Sequence, residues 1–292
     1  MDGQIRLDQL AFLATLQLAV VDKSETLIAF GSAFILKHKG YSFLVTADHV
    51  VHLDDFAVTN STGQRLGVDY IPQIITNNVD FSQLATINIP IRGFYYLDEF
   101  KLDKECVLNK DKTNYVLKKI VEGNIDIDDE TLPIDVRIPN FPDIAVHKII
   151  RDFEVQPISL EVVYDNEIII ESGTPKKYLM SSYVTNFISD KKYIVAGTVK
   201  NEIVDNIRLK RLNIIHGNLA FKEYDTSGYA TLEIQDSFDI DYWSGLSGAP
   251  VFSEEGLLAG MLIRGPKECP NVMAVPISKI IKFIDTILLS ES

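Results

Sequence analysis

From residue 14 onward the chain is written in short β-rich runs separated by turn signals, and that rhythm limits it to a small set of architectures. Residues 14–21, 26–37 and 41–46 carry β-branched, aromatic or alternating apolar side chains. Lys37-His38-Lys39-Gly40 reads as the hairpin turn between the second and third of these. Further strands are expected at 144–150, 168–172, 177–184, 193–198, 229–233, 250–252, 257–263 and 272–275. So many short strands predict a mainly β protein, a barrel or a sandwich.

Three stretches depart from this pattern. Residues 10–21 are apolar enough to resemble a signal-peptide core. Asp2, Arg6 and Asp8 stand where a positive leader would be, and Thr15 and Gln17 interrupt the run, so it reads as a buried strand. Residues 101–121 have a helix-compatible pattern, and 122–135 are acidic and loop-like. Residues 278–288 place apolar side chains at helical spacing just after Pro276, which predicts an amphipathic C-terminal helix with Ser278 as its N-cap.

A length of 292 residues permits one large domain or two small ones. The net charge of −13, from 28 basic and 41 acidic residues, argues against nucleic acid as the main partner, because phosphate binding needs clustered Lys and Arg. It favours basic protein partners or simply a soluble surface. Two cysteines, Cys106 and Cys269, suit free thiols in a reducing cytoplasm. No apolar run approaches the roughly 20 residues of a membrane span, so no membrane partner is expected. No His/Cys/carboxylate cluster has metal-ligand spacing and no glycine loop suits a phosphate, so neither a metal nor another cofactor is expected.

Chemistry concentrates in two motifs. Gly245-Leu246-Ser247-Gly248-Ala249-Pro250 sets a serine among glycines, and Thr46-Ala47-Asp48-His49-Val50 lies far upstream. A serine hydroxyl is a poor nucleophile at neutral pH and needs a base. Histidine can serve because its pKa lies near neutrality. The glycines allow a tight turn whose N–H groups can point at a developing oxyanion. The order of residues then separates the folds that carry such chemistry. All five histidines, His38, His49, His52, His147 and His216, precede Ser247. An α/β-hydrolase needs its histidine after the nucleophile and a glycine at 249, where this chain has Ala249. A subtilisin order needs an acid before the histidine and an α/β pattern. The order that remains, His…Asp…Ser, is that of the chymotrypsin-like double barrel.

The chain resembles the trypsin/chymotrypsin superfamily, and in motif style its disulfide-free HtrA-type branch. The residues carrying the resemblance are Gly31-Ser32-Ala33-Phe34-Ile35, the run Phe43 to Val50, Asp143-Ile144-Ala145-Val146, Gly245 to Pro250 with Gly256 and Gly260 behind it, and Met273-Ala274-Val275-Pro276-Ile277. The resemblance implies an all-β chymotrypsin-like double β-barrel with a C-terminal helix. The first barrel, within residues 1–150, would carry His49 and Asp143. The second, within 151–292, would carry Ser247.

By the same resemblance Ser247 is the nucleophile, His49 the general base and Asp143 the acid that orients the imidazole. Asp80 lies closer to His49 and would fit a compact first barrel, but Phe81-Ser82-Gln83-Leu84-Ala85 fits the aspartate motif poorly. Choosing Asp143 implies an insertion near 101–135, either a lid or docking surface or a decorative subdomain. The N–H groups of Gly245 and Ser247 would form the oxyanion hole, with Ala249 where many relatives carry glycine. Asp241 stands where trypsin-like relatives have the base of the S1 pocket and implies a basic P1 residue. Asp239 stands where HtrA-type relatives carry an aspartate and prefer small apolar P1 residues. Tyr242, Met261, Leu262 and Ile263 would complete the substrate-binding wall. The start lacks the Ile-Val-Gly-Gly of trypsin-like zymogens, and no PDZ domain is expected after the final helix. Three readings follow: a cytoplasmic serine endopeptidase acting on protein or peptide substrates, an inactive fold used as a peptide-binding module, and an enzyme latent until an activating protein partner orders the segment around 242–246.

Overall fold

The computed structural model of the chain describes residues 5–22, 27–51, 70–75, 87–88, 95–96, 143–149, 157–158, 161–204, 208–226, 228–267 and 269–291. Asp80, Cys106, His52 and the segment 101–135 lie outside the described residues.

A helix, α1 (Leu7–Ala14), opens the described chain, and β1 (Leu16–Asp22) follows it directly. The expectation of one strand over 10–21 is corrected here. Ala11, Phe12, Leu13 and Ala14 are all buried in this helix, with Leu7 and Leu10 packed against the same core, so the apolar run is divided between a helix and a strand. Thr15 ends the helix in extended conformation, and its Oγ1 donates to the carbonyls of Ala11 at 2.8 Å and Ala196 at 3.0 Å. β1 pairs antiparallel with β2 (Leu27–His38), which pairs in turn with β3 (Tyr41–Thr46). The expected hairpin is present. His38 faces Tyr41 across a two-residue loop in which Lys39 (φ 48°) and Gly40 (φ 82°) both adopt the left-handed conformation that suits strand twist.

A four-residue helix, α2 (Asp48–Val51), follows β3. The first sheet is completed by β4 (Tyr70–Ile75), β5 (Ile87–Asn88), β6 (Tyr95–Tyr96) and β7 (Ala145–Ile149), in the order β5-β4-β1-β2-β3-β7-β6. A two-stranded sheet, β8 (Val162–Tyr164) with β9 (Glu167–Ile170), leads to β10 (Leu179–Met180). β10 is shorter than the expected 177–184 and pairs parallel with Leu36 and Lys37 at the far end of β2.

The second unit is a closed six-stranded barrel. Its strands are β11 (Lys192–Val204), β12 (Arg208–Tyr224), β13 (Ala230–Ile234), β14 (Pro250–Ser253), β15 (Leu258–Arg264) and β16 (Asn271–Pro276), ordered β11-β12-β13-β16-β15-β14 and closed by β14 on β11. The strand β12 had no expectation attached to it, and β11 runs past residue 198. The two continue as a long hairpin whose outer part pairs polar residues such as Glu202 with Lys210, where no apolar alternation marks a strand. Val195, Val199, Leu219, Leu232, Leu246, Leu262 and Val272 fill the barrel.

The final helix spans Ile277–Glu291, so Ser278 sits inside its first turn rather than at the N-cap. Pro276 ends β16 and the helix begins at the next residue. Ile277, Ile280, Ile284 and Ile287 form one fully buried stripe against the core shared with Phe34 and Phe43. Each such side chain contributes about 1.5–3 kcal/mol on leaving water. The helix is also tied electrostatically. Asp285 Oδ1 meets His38 Nε2 and Lys39 Nζ at 2.7 Å each, while His38 Nδ1 meets Ser181 Oγ at 2.8 Å.

Candidate active site

Strand register brings the histidine and the aspartate together. β3 and β7 run antiparallel with Thr46 opposite Ala145, so two steps further residue 143 falls opposite residue 48, beside His49. The aspartate then makes two bonds to one residue. Asp143 Oδ2 lies 2.7 Å from His49 Nδ1, and Oδ1 accepts from the His49 backbone N–H at 3.0 Å. Both side chains are partly shielded, 27% and 18% exposed. A carboxylate on Nδ1 fixes the tautomer that leaves Nε2 as the basic nitrogen. The turn carrying His49 packs closely on β2, because Gly31 has no Cβ: one there would stand 2.3 Å from Val50 Cγ1.

Ser247 comes from the second barrel, on the loop between a 3-10 turn (Ile240–Tyr242) and β14. That loop is docked on the first sheet through Ser32. The Ser32 N–H donates to the Ser247 carbonyl at 2.7 Å, and Ser32 Oγ donates to the Gly245 carbonyl at 2.8 Å. Thr46, three residues before His49, donates from its Oγ1 to the Ser32 carbonyl at 2.8 Å. Ser32 and Thr46 therefore join the serine loop to the strand that leads to the histidine. Gly248 makes the approach possible. Its φ is +92°, and a Cβ there would lie 1.8 Å from the Ser32 carbonyl oxygen. From the other side the loop is held to β15, with Gly248 N donating to Leu262 O at 2.7 Å.

Gly245 has φ 103°. Among the described residues neither its N–H nor that of Ser247 donates to a protein acceptor. Two such donors on one tight turn can receive an oxyanion. The Ser247 hydroxyl rests on the Ile263 carbonyl at 3.5 Å, the long limit of a hydrogen bond.

The remaining sequence candidates are spread around this centre. Asp241 is exposed, and its N–H donates to Asp239 Oδ1 at 3.0 Å, so the two aspartates share one turn. Met261 and Ile263 are buried in the core that includes the C-terminal helix, whereas Leu262, between them, points into the barrel. Strand alternation thus divides these three between two faces. Tyr242 is half-buried, and its carbonyl accepts from His216 Nε2 at 2.8 Å. The His216 ring stacks on Trp243 with centroids 3.7 Å apart and planes 9° apart. Burial lowers the pKa of His216, and the Tyr242 carbonyl opposes this only in part.

Ser32, Thr46, His216 and Tyr229 were not singled out as site residues from sequence. Ser32 and Thr46 lie inside quoted motifs, so proximity was the available signal. His216 and Tyr229 carry no motif and are brought in only by tertiary contacts, His216 with Tyr242 and Tyr229 with Asp143 of the other unit. Among the described residues no group of three or more His, Cys, Asp or Glu side chains could hold a metal ion, and no helix is long and apolar enough to cross a membrane.

The described residues form a mainly β fold, with a closed six-stranded barrel, a second sheet unit carrying the His–Asp pair, and a C-terminal helix. Among solved structures the chain is similar to a serine endoprotease from Yersinia pestis, with a TM-score of 0.45 at 10% identity over 96% of this chain, and it spans 64% of that protein's length. It is also similar to Deg5, with a TM-score of 0.42 at 13% identity, covering 94% of this chain and 89% of the other. No family model matches the sequence. No curated protein matches it in sequence either.

Proposed function

We propose that the chain is a serine endopeptidase in which His49, Asp143 and Ser247 form the catalytic triad. The observation that carries the reading is the two-bond contact of Asp143 with His49, at 2.7 and 3.0 Å, beside a serine loop hydrogen-bonded to the neighbouring strand. In this reading His49 Nε2 takes the Ser247 proton as the oxygen attacks the scissile carbonyl. The carbonyl π electrons move onto oxygen, and the N–H groups of Gly245 and Ser247 stabilise that charge. His49 then protonates the leaving amine, and the peptide C–N bond breaks to give an acyl-enzyme. Water, deprotonated by His49, releases the acid and restores the serine. Asp143 stays ionised throughout and stabilises the imidazolium.

One observation favours a gated form of this activity. The Ser247 hydroxyl lies against Ile263 O, so activation includes exchanging that carbonyl for His49 Nε2. Substrate or a protein partner contacting the 242–246 segment would drive the exchange, as catalytic hydrogen bonds tighten on complex formation. The test is covalent labelling by a fluorophosphonate, read as intact mass on wild type, Ser247→Ala and His49→Ala. Labelling of wild type that both substitutions abolish supports the reading. A wild type that stays unlabelled, alone and with cell extract as the source of partner, refutes it.

A further inference from the structure

Tyr229 immediately precedes β13, in the barrel that carries Ser247, and is 8% exposed. Its hydroxyl oxygen accepts a 3.0 Å hydrogen bond from the backbone N–H of Asp143, which belongs to the other unit. The phenol is itself held in place. The Tyr229 backbone N–H donates to Asp225 Oδ1 at 2.8 Å, and the Tyr229 backbone carbonyl accepts from the Asp225 N–H at 2.9 Å. The Lys279 ammonium of the C-terminal helix lies 5.6 Å from the ring centroid.

The two bonds from the Asp143 carboxylate fix that residue relative to His49 only. Neither refers the acid–base pair to the barrel that supplies the nucleophile. The Tyr229 hydroxyl does so, because it grips the Asp143 main chain from the Ser247 side. We propose that Tyr229 is a positioning residue for the triad acid, setting the aim of the Asp143 carboxylate at His49 Nδ1 across the boundary between the two units. The inference rests on the serine-peptidase reading given above. Burial pushes the phenol's pKa well above its ordinary value, so the hydroxyl stays neutral and can keep this role across the working range of the site.

Tyr229→Phe is the direct test, since it keeps the ring, its packing and the Lys279 contact while deleting one oxygen. Losing one hydrogen bond of ordinary strength corresponds to about a fivefold loss of rate if the effect falls on the transition state. The measurements are the second-order labelling rate, the kcat and KM for a small ester, and the low-field proton resonance of His49 Nδ1–H. The expected result is a labelling rate and kcat lowered about fivefold, an unchanged KM, and a displaced or broadened resonance. Unchanged rates with an unchanged resonance overturn the proposal, and so does a lowered melting temperature with both intact. A wild type that takes no label but whose His49 resonance responds to Tyr229→Phe preserves the positioning role and removes the peptidase reading instead. Should Tyr229→Phe fail to fold, Asp225→Asn loosens the same turn without touching Asp143, and a smaller change in the same direction is expected. No change there overturns the proposal equally.

Discussion

Replacing Gly248 by alanine tests the docking of the serine loop at its tightest point. The new Cβ would stand 1.8 Å from the Ser32 carbonyl oxygen and 2.7 Å from Thr46 Oγ1, where real Cβ contacts essentially never fall below 3.0 Å. The first of these atoms is backbone in the middle of a paired strand, so the loop and not the sheet must retreat, by roughly an ångström or more. The bonds from Ser32 N to Ser247 O and from Ser32 Oγ to Gly245 O, now 2.7 and 2.8 Å, do not survive that shift. Losing the two costs about 1–3 kcal/mol. Holding alanine at φ +92° adds about 1–3 kcal/mol of backbone strain. A chain of this size then melts about 3–10 °C lower. The labelling rate falls more steeply, because an ångström of misplacement at a reacting centre costs on the order of a hundredfold. Differential scanning fluorimetry and fluorophosphonate kinetics read the two effects separately. Gly40→Ala is the control: its φ is +82°, but nothing lies within 4 Å of the added Cβ, so it carries the strain without the collision. It is expected to lower the melting temperature slightly and leave labelling alone. If Gly248→Ala labels within about threefold of wild type and melts no lower than Gly40→Ala, the steric argument is wrong.

Other outcomes follow from single contacts. Ser32→Ala removes only the bond to Gly245 O, and a loss of about 0.5–1.5 kcal/mol in stability with a slower labelling rate is expected. Asp285 loses some ionisation to burial, but the hydrogen bonds from Lys39 and His38 outweigh this and hold its pKa below the ordinary value. A depressed carboxylate adds stability above its unfolded pKa of about 3.9 and loses it as pH falls through the folded value, so acid denaturation of Asp285→Asn should show a shallower fall in that window. His216 has the opposite problem: burial lowers its pKa, so the unfolded chain takes up a proton first and stability declines as pH drops below about 6.5. Trp243 is the sole tryptophan and stacks on that ring, so its emission should change with a midpoint below the ordinary histidine value. His216→Phe should abolish the transition; an unaltered titration curve would refute the assignment.

The parts of the fold that sequence revealed are those where one face of a strand is buried and the other is wet. The hairpin at 37–40 was legible because Lys39-Gly40 must take positive φ, and β14 to β16 because their apolar runs end at turn residues. The strand β12 was hidden because its sequence from Arg208 to Asn213 carries no strict apolar–polar alternation, although its backbone pairs with β11 there. The helix α1 was hidden because a run apolar on every side fits either period. At the candidate site, His49, Asp143 and Ser247 were singled out through their neighbours in sequence, and the structure brings His49 and Asp143 into contact. Tyr229 and His216 could not, since each meets its partner, Asp143 and Tyr242 respectively, across a distance in sequence that no local motif marks.

The first and last helices are crossed. Helix α1 precedes a strand of the first sheet yet lies against β11 and β14 of the barrel, with Thr15 bonded to Ala196. The last helix follows the final barrel strand yet is tied to the first hairpin through His38 and Asp285. Each half of the molecule is thus strapped by a helix belonging in sequence to the other. A hinge motion between the two halves would have to unlace both straps. A chain cut between the halves should stay assembled, whereas one trimmed of either helix should come apart.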